Sequence, residues 1–193
     1  MRGRIYRGTV THHFKQHELA DFYESPIWEG LAGVGTLGTS SLILNNLYSC
    51  FFWKGQKRTF NRIAIEVTGA ITGNARLGVY VDDGNLYPAN LVLDAGEIDL
   101  SSTGVKELTI SSPLVLPENR IHWLAYLASA TATIRVFLSS NDAACPIMGF
   151  SSFTQSTWQT GWYKSQVYGS LPNPFPAGAS NLYTAPHIIL RKV

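Results

Sequence analysis

A chain of 193 residues is long enough for one domain of ordinary size with a core that needs neither disulfides nor metals. Charged residues make up only 15% of it and hydrophobic residues 45%, against roughly 25% charge in an average globular domain. A formal net charge of +2 gives no electrostatic case for specific nucleic-acid binding, and no stretch approaches the ~18 apolar residues of a membrane span.

The first seventeen residues hold Arg2, Arg4, Arg7 and Lys15 with His12, His13 and His17, and no acid before Glu18. MRGRIYRGTVTHHFKQHE lacks the apolar core of a signal peptide, so export is not expected. A basic arm of this kind suits an acidic protein surface or a phosphate backbone, or is simply a solvated terminus. An aromatic-acidic patch, DFYESPIWEG, places Phe22, Tyr23 and Trp28 beside it, and a Gly-rich stretch follows. Residues 1–45 therefore read as an arm and Gly-rich hinge, with a weakly signalled short helix around His17 to Tyr23, and residues 46–193 read as the folded domain.

From about residue 58 to 140 the pattern changes to period two. Ile63, Ile65 and Val67 alternate, as do Leu77, Val79 and Val81. Ile121, Trp123, Ala125 and Leu127 form a third set, and Ile134, Val136 and Leu138 a fourth. Alternation over several short segments sends one face inward and the other outward, which is how sandwich strands behave. Turn chemistry separates them: TGAITGN, DDGN, DAGE, SSTG and LPEN. Asp83-Gly84 suits a tight hairpin turn, because glycine accepts positive φ without steric cost. The expectation is an all-β, antiparallel, jelly-roll-like sandwich with its alternate side chains sharing one apolar layer. Beyond residue 140 the chain is irregular until HIILRKV, a closing strand of the sort Greek-key folds require.

The search for chemistry returns little. Gly33-Val34-Gly35-Thr36-Leu37-Gly38 matches GxGxxG, but a β-like run follows it and no acid stands about twenty residues on, so a hinge is the better account. No carboxylate or cysteine motif completes a metal set around the arm histidines. Asp82, Asp83, Asp94, Glu97 and Asp99 sit in turn contexts, where aspartate bonds its own backbone. His122 and His187 sit in strand patterns and read as sheet-surface residues. Cys50 and Cys145 fit no redox or metal spacing and read as buried thiols, with one disulfide between them as the alternative. No nucleophile, metalloprotease or phosphate-loop motif is present, so the expectation is no enzyme, no cofactor and no metal.

The aromatic set of the irregular region carries more. Trp158, Trp162, Tyr163 and Tyr168 lie among Gln155, Gln159, Gln166, Asn173 and Asn181. Flat rings beside amides suit a sugar-binding surface, a protein–protein interface, or a loop packed over its own core.

The stretches RTFNRIAIEVTG, ARLGVYVDDGNLYPANLVLDAGEIDLSSTGVKEL and PLVLPENRIHWLAYLA, with the ending GSLPNPFPAGASNLYTAPHIILRK, resemble a β-sandwich domain of tailed-bacteriophage virion proteins. The resemblance lies in rhythm and turn residues and covers about two-thirds of the chain. It implies a structural protein located in the virion and assembled in the host cytoplasm. A homotrimer is implied, bound to the major capsid protein or another virion protein. A capsid decoration or cement role is the first expectation, with Arg2, Arg4, Arg7, Phe22, Tyr23 and Trp28 gripping the partner. A tail-fibre or baseplate module binding host-surface carbohydrate through Trp158, Trp162, Tyr163 and Tyr168 is the alternative. A fibre needs a long shaft, and neither heptads nor β-helical repeats are present.

Overall fold

The computed structural model describes residues 23–24, 37–54, 56–138 and 159–193, with backbone alone at 23, 24 and 54. Every regular element among them is a strand. After β1 (Tyr23–Glu24) come β2 (Leu37–Ser41), β3 (Asn46–Lys54), β4 (Arg58–Gly69) and β5 (Asn74–Asp82). Next follow β6 (Pro88–Asp99), β7 (Gly104–Leu116), β8 (Arg120–Ala128) and β9 (Thr133–Phe137). The chain ends in β10 (Gly161–Ser165), β11 (Ser180–Leu182), β12 (Ala185–Pro186) and β13 (Ile189–Lys192).

Two antiparallel sheets pack face to face. In the first, β2 pairs with β9, β9 with β4, and β4 with β7. In the second, β3 pairs with β8, β8 with β5, and β5 with β6. Strands β2 to β9 thus give the orders 2-9-4-7 and 3-8-5-6, two interlocked Greek keys forming a jelly roll. The expected fold class is what the molecule has. The closing strand also returns to the sheet as expected: β13 lies along Phe60–Ala64 of β4, leaving the far end of that strand to β9. On the other edge of β13, the backbone of Tyr23–Glu24 adds β1.

The core between the sheets follows the predicted alternation. Ile63, Ile65 and Val67 of β4 meet Ala75, Leu77 and Val79 of β5, with Ile134 and Val136 beside them, all buried. Phe52 and Phe60 meet edge-on at 6.0 Å between the sheets, and aromatic pairs favour that geometry.

Four sequence expectations are corrected. Leu37–Ser41, assigned above to the hinge, is strand β2 and registers with β9 from Leu37↔Phe137 to Ser41↔Thr133. Ile121, Trp123, Ala125 and Leu127 do not join the shared layer. They point to the outer face of the second sheet, into a separate apolar cluster, while Leu124, Tyr126 and Ala128 point into the sandwich. His122 is a core residue, 3% exposed, because it shares the inward parity of Leu124. The Asp83-Gly84 pair is also not a two-residue turn. A longer connection, 83–87, joins β5 to β6, with Gly84 at φ 96° and the Asp82 and Asp83 carboxylates accepting from the Gly84 and Asn85 amides.

Candidate functional site

The expected aromatic site is built over the outer face of the second sheet. Side chains of β3, β5 and β8 with outward parity (Leu47, Phe51, Tyr80, Trp123, Ala125 and Leu127) make an apolar floor that is almost fully buried. Burial on both faces is unusual for an antiparallel strand, which more often has one wet side. It explains why RIHWLAYLA in β8 is apolar at nearly every position.

What covers this floor is the chain itself. After β10 pairs with β3, the segment Tyr168–Ala179 crosses the sheet before β11 pairs back with β10. At its start, Asn45 Oδ1 accepts from the Tyr168 amide at 2.9 Å. In the middle, the Tyr80 hydroxyl donates to the Pro172 carbonyl at 2.8 Å, and the Leu91 amide donates to Asn173 Oδ1 at 3.0 Å. Near its end, the Phe175 amide donates to the Ala89 carbonyl at 2.9 Å and the Tyr87 hydroxyl to the Pro176 carbonyl at 2.7 Å. The Phe175 ring stands edge-on to Tyr80 at 5.3 Å and to Tyr87 at 5.9 Å. Gly78 has no side chain on this face, and Leu171 fills the space that a Cβ would take.

An ion-pair cluster pins the same strap. Arg76 donates to both oxygens of Asp94, at 3.0 and 3.1 Å, and reaches Glu97 at 3.2 Å. Asp94 Oδ2 also accepts from the Leu171 amide at 3.2 Å. A carboxylate with this many donors is a fastening point; DAGE is not the turn expected from the sequence, because residues 94–97 lie within β6, where Gly96 at φ 98° sits at a register shift against β5.

The structure separates the candidate residues. Trp162 lies on the covered face, its ring 5.0 Å from Tyr87 and its Nε1 donating to the Leu86 carbonyl at 2.8 Å. Tyr168 packs against the same cluster. Burial, then the Glu97 carboxylate, pushes its hydroxyl up to about 12. Tyr163 points the other way, stacking on Tyr48 at 6.1 Å and packing against the main core. These three do not form one platform: Trp162 and Tyr168 lie against the outer cluster and Tyr163 against the main core. Trp158, Arg2, Arg4, Arg7, Phe22 and Trp28 lie outside the described residues, as do Cys145 and the arm histidines, and Tyr23 is described by backbone alone. Sequence reasoning missed Tyr80, Tyr87, Trp123 and Phe175. Their signal was the outward parity of β5 and β8 together with the LPNPFP run that covers them.

Elsewhere the titratable groups are held in structural roles. Burial pushes the Cys50 thiol up to about 12, far from the thiolate that a nucleophile or ligand needs. Burial, reinforced by the Arg120 charge, lowers His122 below the ordinary histidine range. Burial does the same to His187, helped by Arg135, and the His187 ring sits edge-on to Phe137 at 4.8 Å. Among the described residues, no three His, Cys, Asp or Glu side chains gather as a metal site. No helix among them is long and apolar enough to cross a membrane. No protein-family model matches the chain, and no curated protein matches it in sequence.

Proposed function

We propose that this protein is a structural subunit of a tailed-bacteriophage particle. In this reading it is a decoration or cement protein that associates with copies of itself and with a capsid partner, using its N-terminal arm. The observation that carries the reading is the strand order 2-9-4-7 over 3-8-5-6, an eight-stranded jelly roll of the kind used by capsid and lectin domains. Fold alone assigns no activity, so the surface must supply the rest.

The surface favours protein contact. Ile43 and Leu44 in the β2–β3 loop, Ile71 in the β4–β5 loop, Val105 at the start of β7 and Val167 after β10 are all exposed. The topology brings these to one end of the sandwich, where short loops fix them: Ile71 bonds Leu100, and Gln166 bonds Asn45. Apolar side chains held on rigid loops at one end suit burial against a second copy. The backbone of Tyr23–Glu24 pairs with β13 at a sheet edge, and strand addition of this kind adds contact area through main-chain bonds.

Light scattering on the full chain and on a variant lacking residues 1–22 tests this. The full chain is expected as an oligomer, and the shortened one as a folded species of lower mass. A full chain that is monomeric at all concentrations would contradict the reading.

A further inference from the structure

We propose that the outer groove of the second sheet is a binding site for proline-rich peptide, occupied here by the chain's own Leu171–Pro176. The inference is independent of the particle role.

The burial pattern of the strap is that of a docked peptide rather than a layer of core. Leu171 and Phe175 are 5% and 3% exposed. Asn173, Pro174 and Ala177 around them are exposed, and Pro172 and Pro176 are half-buried. Two anchors four residues apart, in an otherwise wet segment, are how short linear segments enter surface grooves.

The chemistry of the groove matches proline. A proline has no N–H but a carbonyl free to accept. Here two tyrosine hydroxyls, Tyr80 and Tyr87, donate to two prolyl carbonyls, Pro172 and Pro176. The same two rings flank Phe175 on its edges. Aromatic walls with hydroxyl donors are what proline-rich recognition uses.

The groove is also preformed. Tyr80 and Trp123 belong to the central strands β5 and β8. Trp123 Nε1 is fixed by Asp82 Oδ1 at 2.9 Å, and Trp162 Nε1 by Leu86. Neither indole bond involves the strap, so the floor is held without it, while the Tyr87 hydroxyl bonds Pro176 and Ala179 of the strap itself. The ligand class is a proline-rich segment with an aliphatic residue four positions before an aromatic one, the pattern of Leu171 and Phe175 in the strap.

The test uses F175A, which withdraws one anchor from the full chain and leaves the groove residues intact. The probe is a labelled synthetic peptide with the sequence of residues 168–179, followed by fluorescence anisotropy. F175A is expected to bind it at least tenfold more tightly than the unmodified protein, in which the site is filled. A peptide with alanine in place of its phenylalanine should bind neither. Tyr80→Phe or Tyr87→Phe added to F175A should weaken binding roughly three- to tenfold, the effect of one lost hydrogen bond. A folded F175A that gains no affinity overturns the proposal. Should F175A not fold, hydrogen exchange on the unmodified protein decides. The Phe175 amide should exchange at least tenfold faster than those of Tyr80 and Trp123, because the strap opens alone. Equal rates would make the strap ordinary core and end the idea.

Discussion

The two sheets solve the same burial problem differently. The first has one apolar face; its outer face is laced with ion pairs, Arg62 to Glu107 at 2.8 Å and Arg135 to Glu66 at 2.9 Å. The second is apolar on both faces, and its outer side is closed by a strap whose bonds to β5 and β6 span 77 to 92 positions of the chain. The difference teaches where binding surface remains. Of the candidate rings, Trp162 and Tyr168 lie against the outer face of the second sheet, so that face reaches a partner only when the strap leaves it, whereas the loop end and the charged face need no such opening.

Substitutions can break this contrast, beginning with the largest effects. Gly161→Ala should be the most damaging, because a Cβ there collides with the Ser49 carbonyl and would unpair β10 from β3. Loss of cooperative unfolding in urea would show it. Trp123→Ala should cost about 3–5 kcal/mol, the usual price of deleting a large buried ring, and it leaves Asp82 Oδ1 without its indole donor. The check is the urea midpoint. Tyr80→Phe should cost about 1 kcal/mol for the lost bond to Pro172. At the bottom of the scale, Arg135→Ala on the wet face should leave the midpoint unchanged, since exposed ion pairs contribute little. A reversed ranking of Trp123 and Arg135 would refute the contrast.

Acidity gives a graded test of the buried histidines. His122 and His187 titrate below the ordinary histidine value of 6.5 in the folded chain, so the unfolded chain binds their protons first. Their contribution is fully present above pH 6.5 and is lost as pH falls below it through the depressed folded values. Thermal midpoints should therefore hold from pH 8 down to 6.5 and fall below it, and His122→Gln should flatten that fall.

Much of the first sheet was legible in the sequence, and half of the second. Ile63, Ile65 and Val67 alternate against polar neighbours because the outer face of β4 is largely wet. In β8 every other residue is apolar on both parities, so period two could show a strand without saying which set faced the sandwich. Trp123 was thus assigned to the wrong layer and His122 to the surface. The strap was illegible for another reason. Tyr80 meets Pro172, and Asp94 meets Leu171, across separations of 92 and 77 residues, and no local pattern records such pairing. Trp162 and Tyr168 were found as aromatic candidates, but nothing local showed that their partners lay within the chain.

Cysteine labelling at matched outer positions tests the central contrast most directly. In a background with Cys145→Ser, whose remaining Cys50 is buried, one new thiol is placed at Ala125 beneath the strap and another at Thr39 on the open face of the first sheet. Thr39 is exposed and Ala125 is fully buried. The thiol at 39 should react with a disulfide reagent at once, and that at 125 only as fast as the strap or the domain opens. Comparable rates at both positions would mean that the second sheet is not closed on its outer side.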